Sequence, residues 1–338
     1  YDSLLDLYEP GMNSERLDGI FGELRSWLPD LIQQVTRRQQ GESLSRPQGP
    51  FAIDKQAALG REVMSLLGFD FQRGRQDVSV HPFCGGVPSD VRITTRYDEQ
   101  DFTQSLMGII HETGHARYEQ GLPVDTLMLP VGQARSMGIH ESQSLFFEMQ
   151  LARHSAFIGK LAPRIRATFG EQSAFEPANL ARLYTRVRPG LIRVDADEVT
   201  YPTHIMLRYE IEQQLIEGMI EPEQIPELWA TRMQEYLGLD TQGDYRNGCL
   251  QDIHWTDGSF GYFPSYTLGA MYAAQFAAAM QRELGDFASL LAQDNGLDAI
   301  FGWLSTHIWQ QASQFDTDTL VNNATGETLN ADHFRRHL

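Results

Sequence analysis

Two cysteines in 338 residues, Cys84 and Cys249, are too few for a disulfide framework and point to a reducing, cytoplasmic setting. Positive charge is also short. The chain has 27 Lys and Arg against 45 Asp and Glu, for a net charge of −18 and a pI of about 4.9. With no basic footprint, nucleic acid and anionic membrane surfaces are excluded as partners. No apolar run approaches the length of a membrane span, and no internal repeat or low-complexity segment is present. What is there is an ordinary globular composition, 41% hydrophobic and 10% aromatic, in a chain long enough to bury a sizeable core as one large domain or two.

The most informative stretch is His111-Glu112-Thr113-Gly114-His115, an H-E-x-x-H pattern. Asp101 is a plausible N-cap, and Phe102, Leu106, Ile109 and Ile110 follow at helical spacing. Gly121 is a natural stop after Glu119 and Gln120. Residues four apart share one helix face, so His111 and His115 can address a single metal ion, with Glu112 within reach of a water on it. A catalytic zinc takes three protein ligands. Gly121 stands where a metzincin would carry its third His, so that ligand comes from elsewhere, and a carboxylate on a following helix is the usual source. Glu141, in Ile139-His140-Glu141-Ser142, is the choice. Glu148 and Glu119 compete with it but read as solvated helix charges. His140 reads equally as an outer partner of a ligand or as an exposed His.

Helical periodicity dominates the rest. Leu17, Ile20, Phe21, Leu24 and Leu28 form a stripe with Asn13 and Ser14 as capping candidates, and Pro29 is expected to interrupt it. A helix over 57–67 ends at Gly68. Residues 77–80 and 91–97 alternate like two strands joined by the loop His81-Pro82-Phe83-Cys84-Gly85-Gly86. Further helices are predicted at about 101–120, 135–169, 177–187, 204–217, 223–237, 264–284, 286–294 and 296–313, with breaks at Pro202 and Pro264. The fold class is therefore mainly α, with a small β-sheet beside the H-E-x-x-H helix. A strand edge there can hold extended peptide.

Six stretches together resemble the carboxypeptidase Taq family of metal-dependent carboxypeptidases. They are His81-Pro82-Phe83, Asp90-Val91-Arg92-Ile93-Thr94-Thr95, the His111–His115 motif, His140-Glu141-Ser142, Ile192-Arg193-Val194-Asp195-Ala196-Asp197, and Gly248-Cys249-Leu250-Gln251-Asp252-Ile253-His254-Trp255. The resemblance runs from Tyr1 to the C-terminus. It implies one catalytic domain over residues 1–338, a gluzincin-like helical fold split by a deep groove with the metal at its floor, and a homodimer. It also implies release of single residues from peptides with a free C-terminus, with broad specificity. The expected ligands are His111, His115 and Glu141. The ion is one divalent metal, zinc in the usual reading, with cobalt as an alternative because it activates family members. A further N-terminal helical region of the family, part of the groove's roof, is expected to be missing.

Within that resemblance Glu112 is the catalytic carboxylate. A carboxypeptidase must also recognise the terminal carboxylate, which Arg does better than Lys. Arg193 and Arg92 are the candidates, with pairing to Asp195 and Asp197, or to Asp90, as their purely structural alternatives. By analogy with related helical zinc peptidases, His254 and Tyr266 donate hydrogen bonds to the oxyanion, with Tyr262 second. His81 and Phe83 shape the groove. An oligo-endopeptidase acting in the same groove, or an inactive metal-binding scaffold, is the alternative function.

Overall fold

A computed structural model describes residues 1–338. It is mainly helical with one three-stranded sheet, in line with the sequence. The chain begins with α1 (Asp2–Tyr8), α2 (Ser14–Gln39) and α3 (Ile53–Leu66). Asn13 caps α2, its side chain accepting from the Arg16 N–H at 2.9 Å. The helix does not break at Pro29. The proline removes one intrahelical hydrogen bond, but Leu17, Phe21, Leu24, Leu28 and Ile32 form one buried stripe across it, and packing of that face outweighs the lost bond. Gly68, with φ +79°, ends α3 as expected.

The sheet consists of β1 (Gly74–Val78), β2 (Cys84–Val87) and β3 (Asp90–Thr95) in the order β1-β3-β2. β3 runs parallel to β1 and antiparallel to β2. The two expected strands correspond to β1 and β3. β2 lies in what the sequence reads as a loop, because Cys-Gly-Gly-Val has little strand propensity. It is held by its backbone ladder, from Cys84 opposite Ile93 to Val87 opposite Asp90. Val91 and Ile93 point inward and pack with Ile109 and Ala116 of α4 (Phe102–Gly121), while Arg92, between them on the pleat, is exposed.

Asp101 caps α4 as expected, accepting from the Thr103 N–H at 2.8 Å. Gly121 does not act as a left-handed stop. It is the last helical residue, and Leu122 turns extended ahead of Pro123, which disfavours helix in the residue before it. Gly121 is small for another reason: a Cβ there would lie 2.7 Å from the Trp309 ring. The single helix expected over 135–169 is three pieces. These are α5 (Met137–Leu145), capped by Ser136, a π-helical stretch Phe146–Ala152, and α6 (Ser155–Phe169). Beyond them come α7 (Pro177–Tyr184), α8 (Tyr201–Ile216), α9 (Ile225–Leu237), the short α10 (His254–Asp257) and α11 (Pro264–Leu284). The chain closes with α12 (Phe287–Leu291), α13 (Gly296–His307), α14 (Thr317–Thr325) and α15 (Asp332–His337). Pro202 sits in the first turn of α8, so that helix starts slightly earlier than expected. One main core runs from Leu5 to Phe334. No helix is long and apolar enough to cross a membrane.

At the centre of this core, α5 is gripped between α4 and α11. A Cβ at Gly114 would lie 2.5 Å from the Gln143 carbonyl oxygen, and one at Gly269 would lie 2.6 Å from Cβ and Cγ of Glu141. Both positions need glycine for close approach of backbones. The two contacts fix Glu141 against the helix that carries His111 and His115.

Candidate active site

His111, His115 and Glu141 bring their ligand atoms within 4.8 Å of one another. His115 Nε2 is 3.3 Å from Glu141 Oε2, and His111 Nε2 is 3.9 Å from Oε1. Two imidazole nitrogens and one carboxylate oxygen converging this way fit a divalent ion that takes three protein ligands and keeps one position open.

Both rings are held from behind. His111 Nδ1 is 2.9 Å from Glu148 Oε2, and the other oxygen of Glu148 accepts from Arg153 at 2.5 Å. His115 Nδ1 is 2.6 Å from His140 Nδ1, and His140 Nε2 is 2.8 Å from Glu119 Oε1. If His115 Nε2 is kept free of a proton, as a metal-ligating nitrogen must be, one arrangement satisfies the second chain: His115 donates from Nδ1 to His140, which donates from Nε2 to Glu119. Ligating histidines are commonly oriented in this way. Glu148 and Glu119 are therefore not the solvated helix charges that the sequence suggests, and His140 is an outer partner. A signal existed for Glu119, since His111, His115 and Glu119 recur every four residues on α4. Glu148 lies in the π-helical stretch, a type of turn found often at functional sites.

Glu112 is buried, and its Oε2 has no hydrogen-bond partner in the protein. Burial pushes its carboxyl up to about 7, with His111 opposing and Glu141 and Glu148 adding to the rise. Burial opposes charge on His111, yet the Glu148 bond and the Glu141 and Glu112 carboxylates raise it to about 10. His115 goes the other way: burial, reinforced by His140 and His111, lowers it to about 4 despite the nearby Glu141 carboxylate. Glu148, though buried, is held down to about 2 by Arg153 and His111.

A second group gathers Arg193, Tyr201, His254, Tyr262 and Tyr266. Arg193 is 6% exposed and bonds neither Asp195 nor Asp197. Its Nε donates to Asp252 at 2.9 Å and one terminal nitrogen to the Tyr201 hydroxyl at 3.0 Å, with the Phe263 and Tyr266 rings about it. The Tyr266 hydroxyl is 3.3 Å from His254 Nε2, and the Tyr262 and Tyr266 rings meet edge-on at 5.0 Å. Burial and the Arg193 cation, joined by Arg208 and opposed by Asp252 and Asp257, lower His254 to about 4, so it is neutral near pH 7. Burial raises Tyr266 to about 12, with Glu141 contributing to the rise, and Glu141 acts on Tyr262 and Tyr201 in the same direction. This group therefore lies within the electrostatic reach of Glu141. Tyr201 was not singled out from the sequence.

Arg92 and His81 are not part of either group. Arg92 is exposed and clasped by Asp90 on its own strand at 2.7 Å. His81 is exposed, and its carbonyl accepts from the Thr94 hydroxyl at 3.1 Å. Cys84 on β2 lies close enough to the site for its thiol to be raised by burial and by Glu112 and Glu119.

The model of the carboxypeptidase Taq (M32) metallopeptidase family matches residues 1–338. A thermostable carboxypeptidase 1 from Thermus thermophilus is 40% identical over 339 residues, covering 100% of this chain and 66% of the relative. Carboxypeptidase 1 from Bacillus subtilis is 40% identical over 342 residues, covering 100% and 68%. Among solved structures, metallocarboxypeptidase 1 of Trypanosoma cruzi superposes with a TM-score of 0.97 at 52% identity, covering 100% of this chain and 71% of that one. An M32 carboxypeptidase from Deinococcus radiodurans superposes with a TM-score of 0.93 at 35% identity, covering 99% and 68%. The chain thus spans about two thirds of the length of the curated relatives it matches.

Proposed function

The chain belongs to the carboxypeptidase Taq (M32) metallopeptidase family, and from that premise we propose that it is a metal-dependent carboxypeptidase releasing single residues from peptides with a free C-terminus. The observation that carries this reading is the convergence of His111, His115 and Glu141 beside a buried Glu112 whose Oε2 no protein group engages. The family relatives are named as carboxypeptidases.

In this reading His111, His115 and Glu141 hold one divalent ion, zinc or, as the alternative, cobalt. When bound, the ion supplies Lewis acidity that polarises the scissile carbonyl and makes water more acidic. Glu112 accepts a proton from the attacking water and passes it to the leaving amine. Its burial, with Oε2 free of any protein partner, leaves that oxygen available for both halves of the task. Neutral His254 and the Tyr266 hydroxyl donate to the oxyanion, with Tyr262 beside them. Arg193 is the anchor for the substrate carboxylate. Two of its nitrogens are engaged by Asp252 and Tyr201, so the anchoring contact falls to the remaining terminal nitrogen. Arg92 is the second candidate, and His81 a residue of the groove lip. Residues 1–338 form the catalytic domain. Both cysteines are free, which supports a cytoplasmic location. A homodimer and broad specificity are carried over from the family.

Metal analysis together with mass spectrometry of digests tests the proposal. One peptide is supplied with a free C-terminus and the same peptide as its amide. Stepwise loss of C-terminal residues from the free peptide alone is expected. Internal cleavage of both would make the protein an oligo-endopeptidase, and bound metal without turnover would make it a scaffold.

A further inference from the structure

The segment from Gly248 to Phe263, which carries His254 and Tyr262, has almost no regular structure of its own beyond the four residues of α10. What lies behind it is a buried ion pair. Arg208 and Glu212, one turn apart on α8, have side chains 0% exposed and meet at 2.8 Å. Desolvating two charges cancels much of their attraction, so a buried pair of this kind is a poor source of stability by itself. Its other contacts suggest why it is there.

The Arg208 guanidinium carbon lies 3.2 Å from the centre of the Trp255 ring and 4.5 Å from that of Phe263, while Nε and one terminal nitrogen make no hydrogen bond. The cation is used against aromatic faces rather than saturated by acceptors. Glu212 Oε1 accepts from the Gly261 backbone N–H at 2.5 Å and from the Tyr1 hydroxyl at 3.2 Å. Gly261 has φ +89°, and a Cβ there would lie 2.6 Å from the Leu4 carbonyl carbon, so α1 crosses directly over it. Tyr8 of α1 stands edge-on to Tyr262 at 5.1 Å. The pair thus grips the segment at two points, Trp255 next to His254 and Gly261 next to Tyr262. Flanking these points in sequence, the His254 ring meets Phe263 edge-on at 4.8 Å.

We propose that Arg208 and Glu212 are positioning residues, which set the His254 ring toward the reacting carbonyl through Trp255, Phe263 and Gly261. This rests on His254 being an oxyanion donor. A misplaced group of this kind costs rate without weakening substrate binding in proportion.

The test is a double-mutant cycle. Arg208→Lys keeps a cation for Glu212 but loses the flat face laid on Trp255. Trp255→Leu removes the same contact from the other side and serves if the α8 variant fails to fold. Each is measured alone and combined with His254→Ala, for kcat, KM, metal content and melting temperature. Since a well-placed oxyanion donor provides roughly 10²–10³-fold in rate, its partial misplacement is expected to lower kcat about 10-fold, with KM within about twofold. Metal content should be unchanged. Each double variant should be no slower than His254→Ala alone. Equal slowing in both backgrounds, or a wild-type kcat for both single variants, overturns the proposal. A wild-type kcat for His254→Ala overturns the donor reading on which it rests, and is read from that single variant independently.

Discussion

On the α4–α5 side of the site, the candidate ligand atoms come from two helices packed closely at Gly114, with α11 pressed onto α5 at Gly269, and each histidine is backed by a carboxylate, directly in the case of His111 and through His140 in the case of His115. On the opposite side, Arg193, His254 and Tyr262 sit on short turns drawn from distant parts of the chain. They are held by aromatic faces and by two buried ion pairs, Arg193 with Asp252 and Arg208 with Glu212. The first side is rigid because helix geometry repeats its spacing. The second is rigid only as far as tertiary contacts make it so. In the proposed reading a metal, which demands fixed distances, is held by the first, and the peptide is met by the second.

The strongest way to separate the two sides is Glu112→Gln. General base catalysis is worth roughly 10²–10⁴-fold, so turnover should fall by that factor while metal content, read by elemental analysis, stays at the wild-type level. A variant that keeps most of its rate removes Glu112 from the chemistry.

Arg193→Met sharpens the opposite side. A charge-assisted carboxylate contact contributes about 1.5–3 kcal/mol, or roughly 10–150-fold. That loss is expected in kcat/KM on free-carboxylate peptides and much less in any residual cleavage of amides. Because Asp252 would be left buried and unpaired, the melting temperature should fall as well. Arg193→Met, Asp252→Asn recovers stability but not the selectivity for a free C-terminus. Equal losses on both substrates would make Arg193 purely structural.

The two sides also differ in how legible they are from sequence. The ligand helix is legible because cap, apolar period and the four-residue spacing of His111 and His115 are all local. Glu141, sought as a third ligand on the next helix, does lie beside the two histidines. Glu148 and Glu119 are misread because a charge on a helix looks solvated until the neighbouring helix is known. The partner of Arg193 lies 59 residues away, so the nearer Asp195 and Asp197 attract the reading instead. β2 is missed because pairing with β3, and not its own residues, makes it a strand. Pro29 is misjudged because the stripe it interrupts is buried on both sides of it.

Glu148→Gln probes the outer support of the metal side. Loss of such a partner typically costs about 10–100-fold in metal affinity. Chelator competition should show a fall in that range, and a steeper one for Glu141→Ala, which removes a ligand outright. If Glu148→Gln binds metal as the wild type does, the chain from His111 to Arg153 has no bearing on the ligand.

Gly269→Ala tests the grip on α5 itself. The added methyl meets Cβ and Cγ of Glu141 at 2.6 Å, and overpacking of this kind costs roughly 1–3 kcal/mol. A lower melting temperature together with weaker metal binding is expected, because the strain falls on the ligand residue. A fall in stability with unchanged metal affinity would mean that α11 yields and α5 does not.

The smallest effect is expected from Arg92→Met, and that is its use. Arg92 lies in a stretch that resembles a family motif, as Arg193 does, and sequence alone ranks the two only weakly. In the structure Arg92 is exposed on the outer face of β3 and clasped by Asp90, a neighbour on its own side of the pleat. Exposed pairs of this type contribute little, because water and salt screen them. Rate, metal content and melting temperature should therefore all stay near the wild type, and the preference for free over amidated peptides should be kept. A selective loss on free-carboxylate peptides would reverse the ranking. It would move the anchor from the tertiary, aromatic-lined side of the site to the sheet beside α4, and both recognition and metal binding would then rest on the locally encoded half of the molecule.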